Sequence, residues 1–208
     1  QEQAYTGKEI RPEVIIQDGT RRLTEGVDYT ATYRNNIECG KAEVTVAGIG
    51  NYTDTQRGTF DIKKAIAEVQ IEEIANQTYC GEQIMPELII KDGETLLVEG
   101  VDYQVSYQSN LNAGTAMIQI EGLGSYTGSI TKSFVIQRKS IKDAVIDVTG
   151  GYSYTGAEIV PTVVVTENGK ALQEGRDYTI SCRNNLNAGT AGLTIEGAGN
   201  YCDQAETA

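Results

Sequence analysis

The chain contains no histidine and no tryptophan. Without an imidazole, a histidine-based catalytic triad, a histidine-ligated zinc and a histidine-ligated haem are all excluded. Without an indole, the broadest stacking surface for a sugar ring is missing. Basic residues are scarce as well: 17 Lys and Arg stand against 29 Asp and Glu, giving a net charge of −12 and a pI near 4.5. That balance argues against nucleic acid or an anionic membrane as partner, because both reward positive charge. No apolar run approaches the roughly 18 residues of a membrane-spanning helix, and no leader or anchor motif is present. The chain starts in the middle of a repeating unit, so it reads as part of something longer, and those last absences say little about the whole.

What is present is repetition. "RNNLNAGTAGLTIEGAGNY" near the end echoes "QSNLNAGTAMIQIEGLGSY" and "RNNIECGKAEVTVAGIGNY". Tyr5, Tyr79 and Tyr154 open three copies, spaced 74 and then 75 residues apart. Counted from each tyrosine, the same residues recur: Pro12, Pro86 and Pro161, the only prolines; Asp28-Tyr29, Asp102-Tyr103 and Asp177-Tyr178; Asn36, Asn110 and Asn185. A Gly-x-Gly-x-Tyr closes each copy at Tyr52, Tyr126 and Tyr201. Self-similarity at a fixed period identifies a stacked unit. The expected division is 1–64, lacking a first strand; 65–139, complete; and 140–208, lacking a last strand. Units of this size bury only about 60% of their unfolded surface.

Each copy reads as strands. Apolar and polar residues alternate through Ala42, Val44, Val46; Ala116, Ile118, Ile120; and Ala191, Leu193, Ile195, the period of two that marks a strand with one buried face. Tyr29, Ala31 and Tyr33 alternate likewise, and the Asn-x-x-x-Gly stretch between the two runs predicts a hairpin connection. "VIIQDG", "LIIKDG" and "VVVTENG" predict β-branched strands closed by turns, with the prolines at a strand start or edge. "GTFDI" and "KSFVI" predict a last strand with Phe60/Ile62 and Phe134/Ile136 facing in; "AIAEVQI" and "IKDAVIDV" predict a first strand. No segment carries a helical stripe. Short strands between regular turn signals predict an all-β fold of three tandem immunoglobulin-like β-sandwich modules in a linear, rod-like array.

The pattern Y-T-G…P…D-G…G-x-D-Y…N-N…A-G-T-A…G-x-G-N-Y-T-G…F-x-I resembles bacterial immunoglobulin-like repeats, which occur in tandem in large surface and secreted proteins of Firmicutes, many of them gut anaerobes. The resemblance implies a sandwich used as spacer or display module outside the cell. It carries no catalytic residues and no cofactor.

Strand tyrosines share the parity of the aliphatic core and read as core residues with a wet hydroxyl; the loop tyrosines Tyr52, Tyr126 and Tyr201 are the better ligand candidates, with Asn36, Asn110 and Asn185 in the turns beside the diverging loops. The Gly-x-Gly pairs lie between strands rather than before a helix, so they read as turns and not as a phosphate cradle. Glu25/Asp28, Glu99/Asp102 and Glu174/Asp177 are candidate Ca²⁺ ligands, but Ca²⁺ needs six to eight oxygens, and a turn whose Asp caps the next strand is the simpler reading. Of the four cysteines, only Cys80 and Cys202 are placed to meet, across the joint between copies two and three; otherwise all four read as unpaired thiols. Lysine recurs at no offset in all three copies, which disfavours Lys–Asn isopeptide crosslinks.

Two functions follow as expectations. The leading one is a structural spacer or stalk of a bacterial cell-surface or secreted protein, displaying a functional domain elsewhere in the parent chain. The alternative is an adhesin-type module for host glycan, mucin or matrix protein. An enzyme is rejected for this stretch. No nucleic acid and no membrane insertion are expected, whereas the open sheet edges of copies one and three predict self-association.

Overall fold

The computed structural model describes residues 1–207. Among them the secondary structure is 22 strands and one 3-10 turn, Ile66–Glu68. The chain is all-β, as the period-two alternation requires.

Contacts divide it into two compact units. The first comprises residues 1–73, 87–106 and 118–132, the second residues 74–86, 107–117 and 133–208. The halves of the middle copy are therefore distributed between the units. Its strands Tyr103–Gln108, Gly114–Gly122 and Ser129–Gln137 each supply residues to both.

In the first unit the main sheet runs Glu2–Ala4, Thr55–Ala65, Gly40–Gly48, Tyr29–Arg34. Glu2–Ala4 is parallel to Asp61–Lys63; the other neighbours are antiparallel, with Ala42 opposite Phe60 and Tyr29 opposite Gly48. The hairpin connection sits where Asn and Gly predicted it: Asn35 has φ 53° and Gly40 φ 125°. Ala42, Phe60 and Ile62 form a buried cluster on which Tyr5, Ile10 and Tyr33 pack. A second sheet joins Gln70–Ile71, Ile90–Asp92 and Thr95–Leu96. In the first copy the corresponding hairpin, Gln17–Asp18 with Arg21–Arg22, forms a sheet of two strands only. "AIAEVQI" is not one strand: the chain makes the 3-10 turn at Ile66–Glu68, which buries Ile66 completely, and only then enters Gln70–Ile71.

The second unit repeats these pairings. Gln77–Thr78 is parallel to Ile136–Gln137. Val145–Thr149, Thr162–Glu167 and Lys170–Ala171 form one sheet, and Tyr178–Arg183, Gly192–Gly197 and Gln204–Thr207 another. Ile141, Val165, Leu172, Tyr178, Leu193, Ile195 and Tyr201 make its buried cluster. One expectation needs correcting. The last strand of the third copy is not missing but begun: Gln204–Thr207 pairs with Gly192–Gly197, Glu196 opposite Gln204 and Leu193 opposite Thr207. The reason is register, since Gln204 stands three residues past Tyr201 as Ser129 stands past Tyr126.

Candidate functional site

The repeated carboxylates serve the turns they lie in. Backbone N–H groups of Thr24, Val98 and Gln173 donate to Asp28, Asp102 and Asp177 at 2.9, 2.8 and 2.9 Å. Each Asp N–H in turn donates to the carbonyl of that same residue at 2.8 Å. Asp28 and Asp177 are buried and paired with Arg21 and Arg176; the Arg176 guanidinium holds the Asp177 carboxyl below its ordinary value. Glu25, Glu99 and Glu174 are exposed. Among the described residues no group of three or more Cys, Asp or Glu side chains is gathered closely enough to hold a metal ion.

The turn asparagines are clamps. The Nδ2 of Asn36, Asn110 and Asn185 donates to the carbonyls of Ile10, Ile84 and Ile159 at 3.0, 3.0 and 3.1 Å. The N–H of each of these isoleucines donates back to the asparagine carbonyl at 2.8, 2.8 and 3.0 Å. These reciprocal bonds give one N–H of each amide a structural role in the turn.

The closing tyrosines are different from what loop placement suggests. Tyr126 and Tyr201 are 8% and 5% exposed, while Tyr52 is half-buried. Their hydroxyls donate to Asp92 at 3.1 Å, Glu167 at 3.4 Å and Asp18 at 3.2 Å. In copies two and three a lysine from the end of the preceding copy completes the set: Lys64 pairs with Asp92 at 2.5 Å, and Lys139 pairs with Glu167. Backbone pairing reinforces both joints. Tyr126–Thr127 runs parallel to Lys64–Ala65, and Tyr201–Cys202 parallel to Lys139–Ser140. The N–H of Lys64 donates to Ser125 O at 2.9 Å and that of Lys139 to Asn200 O at 2.8 Å. At the second joint Tyr79 meets Tyr201 edge-to-face with centroids 5.6 Å apart, and Asn200 bridges Asn112 and the N–H of Ala113 at 3.0 and 2.8 Å.

Charge and burial in these joints reinforce one another. Burial, followed by the Asp92 carboxylate, pushes the Tyr126 phenol up to about 12. Burial, followed by the Glu167 charge, does the same to Tyr201, also to about 12. The hydrogen bond with Lys64 keeps Asp92 below the ordinary aspartate range and in turn raises Lys64. Each hydroxyl is thus a neutral donor and each carboxylate an ion-paired acceptor. That combination holds chain segments together.

The four cysteines are free, and Cys80 is not bridged to Cys202. Their sulfurs face different carbonyls, that of Glu82 at 3.6 Å and that of Arg138 at 3.6 Å. The residues missed by sequence reasoning are Asp18, Asp92, Glu167, Lys64 and Lys139. The lysines did carry a signal, because each stands 15 residues ahead of the tyrosine opening the next copy. No protein-family model matches the chain, and no curated protein matches it.

Proposed function

We propose that the chain is a structural spacer: three tandem immunoglobulin-like sandwiches stacked in line, part of a bacterial surface or secreted protein whose working domain lies elsewhere. One observation carries this reading: both joints are built from the same Lys–carboxylate–Tyr set and the same parallel strand pairing. A joint made of backbone hydrogen bonds, with no glycine- or serine-rich linker, favours stiffness over swivelling. Small-angle X-ray scattering tests the reading. A radius of gyration well above the ~17 Å of one compact globule of this length supports the spacer; a value near that figure rejects it.

A second reading, a module that grips host glycan, mucin or matrix protein, has one observation in its favour. Each copy exposes an aliphatic side chain at the same loop position: Ile37, Leu111 and Leu186 are 44%, 41% and 44% exposed. Against it, the loop carrying Leu111 is tied at Ala113 to Asn200 of the next copy. A panel of mucins, glycans and matrix proteins, with and without Ca²⁺, separates the readings. Saturable binding abolished by Leu186→Ser selects the adhesin.

A further inference from the structure

One turn of the third copy differs in chemistry from its counterparts. The hairpin from Thr162–Glu167 to Lys170–Ala171 turns through Asn168-Gly169, where the first and second copies have Gly19-Thr20 and Gly93-Glu94. Asn168 has φ 50° and Gly169 φ 76°, the two positive values that a tight hairpin turn of this kind requires, and both residues are exposed. Of the chain's asparagines only Asn168 is followed by glycine. That neighbour matters because asparagine is thermolabile: the backbone nitrogen after it attacks its side-chain amide, and a side chain on the attacking residue obstructs the approach. Gly169 carries none, and nothing lies within 4 Å of where a Cβ would stand. Its N–H has no hydrogen-bond partner among the described residues. Other asparagines are placed less favourably. Ala113, which follows Asn112, donates its N–H to Asn200 Oδ1 at 2.8 Å, and Asn36 and Asn110 are buried.

The turn also lies beside the second joint. Asn168 Nδ2 donates to Glu167 Oε1 at 3.0 Å. Glu167 in turn pairs with Lys139 and accepts the Tyr201 hydroxyl at 3.4 Å. The ladder holds Glu167 in place: it stands opposite Lys170, with only Asn168 and Gly169 between them. A turn of two residues has no slack to absorb an extra backbone atom.

We infer that Asn168 is a self-modifying site whose conversion to isoaspartate loosens the joint between the second and third copies. Gly169 N attacks Asn168 Cγ and gives up its proton; the Cγ–Nδ2 bond breaks and the amide nitrogen leaves as ammonia, closing a succinimide ring. Solvent water then opens the ring. Addition at Cγ yields aspartate, with the backbone unchanged. Addition at the backbone carbonyl of residue 168 yields isoaspartate, in which the chain runs through Cβ and Cγ and is one carbon longer. Ammonia is exchanged for water, and nothing is oxidised or reduced. The longer turn forces Glu167 out of register with Lys170 and draws its carboxylate away from Lys139 and Tyr201. The first joint, whose turn is Gly93-Glu94, has no such site.

The test is to age the 208-residue protein in mildly alkaline buffer and follow it by peptide mass mapping and amide hydrogen exchange. Succinimide and then isoaspartate should accumulate at Asn168 at least tenfold faster than at any other asparagine. In the converted fraction the Lys139 N–H, which donates to Asn200 O, should exchange at least tenfold faster. The Lys64 N–H of the first joint should stay within twofold of fresh protein. Asn168→Gln, aged alongside, should keep Lys139 protected. Asn168→Asp carries the new charge without the longer backbone and, fresh, should keep Lys139 within twofold of the parent. Reaction first at another asparagine, unchanged Lys139 exchange in protein converted at position 168, or equal loss in aged Asn168→Gln overturns the inference. A loss in fresh Asn168→Asp as large as in aged protein assigns the effect to charge and overturns the role of the longer turn.

Discussion

Lys64 and Asp92, contributed by successive copies, form an ion pair at 2.5 Å with side chains only 20% and 28% exposed. A double-mutant cycle of Lys64→Ala and Asp92→Asn should return a coupling of about 1 kcal/mol, the upper end for pairs still touched by water. The sign of its pH dependence is set by the two directions. Asp92 is lowered, so its contribution is present above the ordinary 3.8 and lost as pH falls through the folded value. Lys64 is raised, so its contribution is present below the ordinary 10.5 and lost as pH climbs through the folded value. Thermal midpoints of the four proteins across pH test both arms; a coupling indistinguishable from zero at neutral pH removes the pair from the joint.

Tyrosine ionisation reports on the joints separately. Ultraviolet titration of the twelve tyrosines should resolve a late phase near pH 12 from Tyr126 and Tyr201. Tyr126→Phe and Tyr201→Phe should each delete part of it. Because the fold favours the neutral phenol, the stability these residues confer holds below about pH 10 and is lost toward pH 12.

In the Asp-Tyr turns the two carboxylates of each pair should behave unequally. Asp102→Ala removes the acceptor of the exposed Val98 N–H and should cost about 0.5–1.5 kcal/mol, the net worth of one ordinary hydrogen bond. Glu99→Ala, at an exposed side chain, should stay within about 0.5 kcal/mol of the parent. Adding Ca²⁺ or a chelator should leave the unfolding midpoint where it was. A Ca²⁺-dependent shift abolished by either substitution would restore the metal reading.

The Gly-x-Gly turns offer a steric test. A Cβ on Gly122 would lie 2.7 Å from Thr127 N, and one on Gly197 2.6 Å from Cys202 N. Either contact forces the backbone to move, so Gly122→Ala and Gly197→Ala should each cost about 1–3 kcal/mol, as overpacking does. Gly151 has nothing within 4 Å and no left-handed φ, so Gly151→Ala should be neutral when all three variants are unfolded in urea.

The strands were legible because burial imposes a period of two, and positions such as Ala42, Ala116, Tyr29 and Tyr103 are indeed buried. The hairpin turns were legible because positive φ favours Asn and Gly, as at Asn35 and Gly40, although Ser109 takes the same place in the second copy. The joints were half legible. Tyr126 and Tyr201 repeat visibly, but counting forward from each opening tyrosine places Arg138, not Lys139, opposite Lys64. The Asp-Gly and Asn-Gly turns read only as punctuation, since the carboxylate's partner tyrosine lies 34 residues further on. Periodicity reports what a residue shares with its own repeat; it says nothing of what the neighbour contributes. The same limit hid the burial of Tyr126 and Tyr201, which were placed in loops and therefore expected to be exposed.

The strand Thr55–Ala65 has a mechanical consequence. It is 11 residues long, paired within its own copy on both sides and, at Lys64–Ala65, with Tyr126–Thr127 of the next. A pull along the chain meets no slack segment at this point. The load passes from one copy's ladder into the Tyr126–Thr127 segment of its neighbour, and hydrogen bonds lying across a strand resist such a pull together rather than one after another. Rupture of the first copy and of its joint should then appear as one event in a force trace.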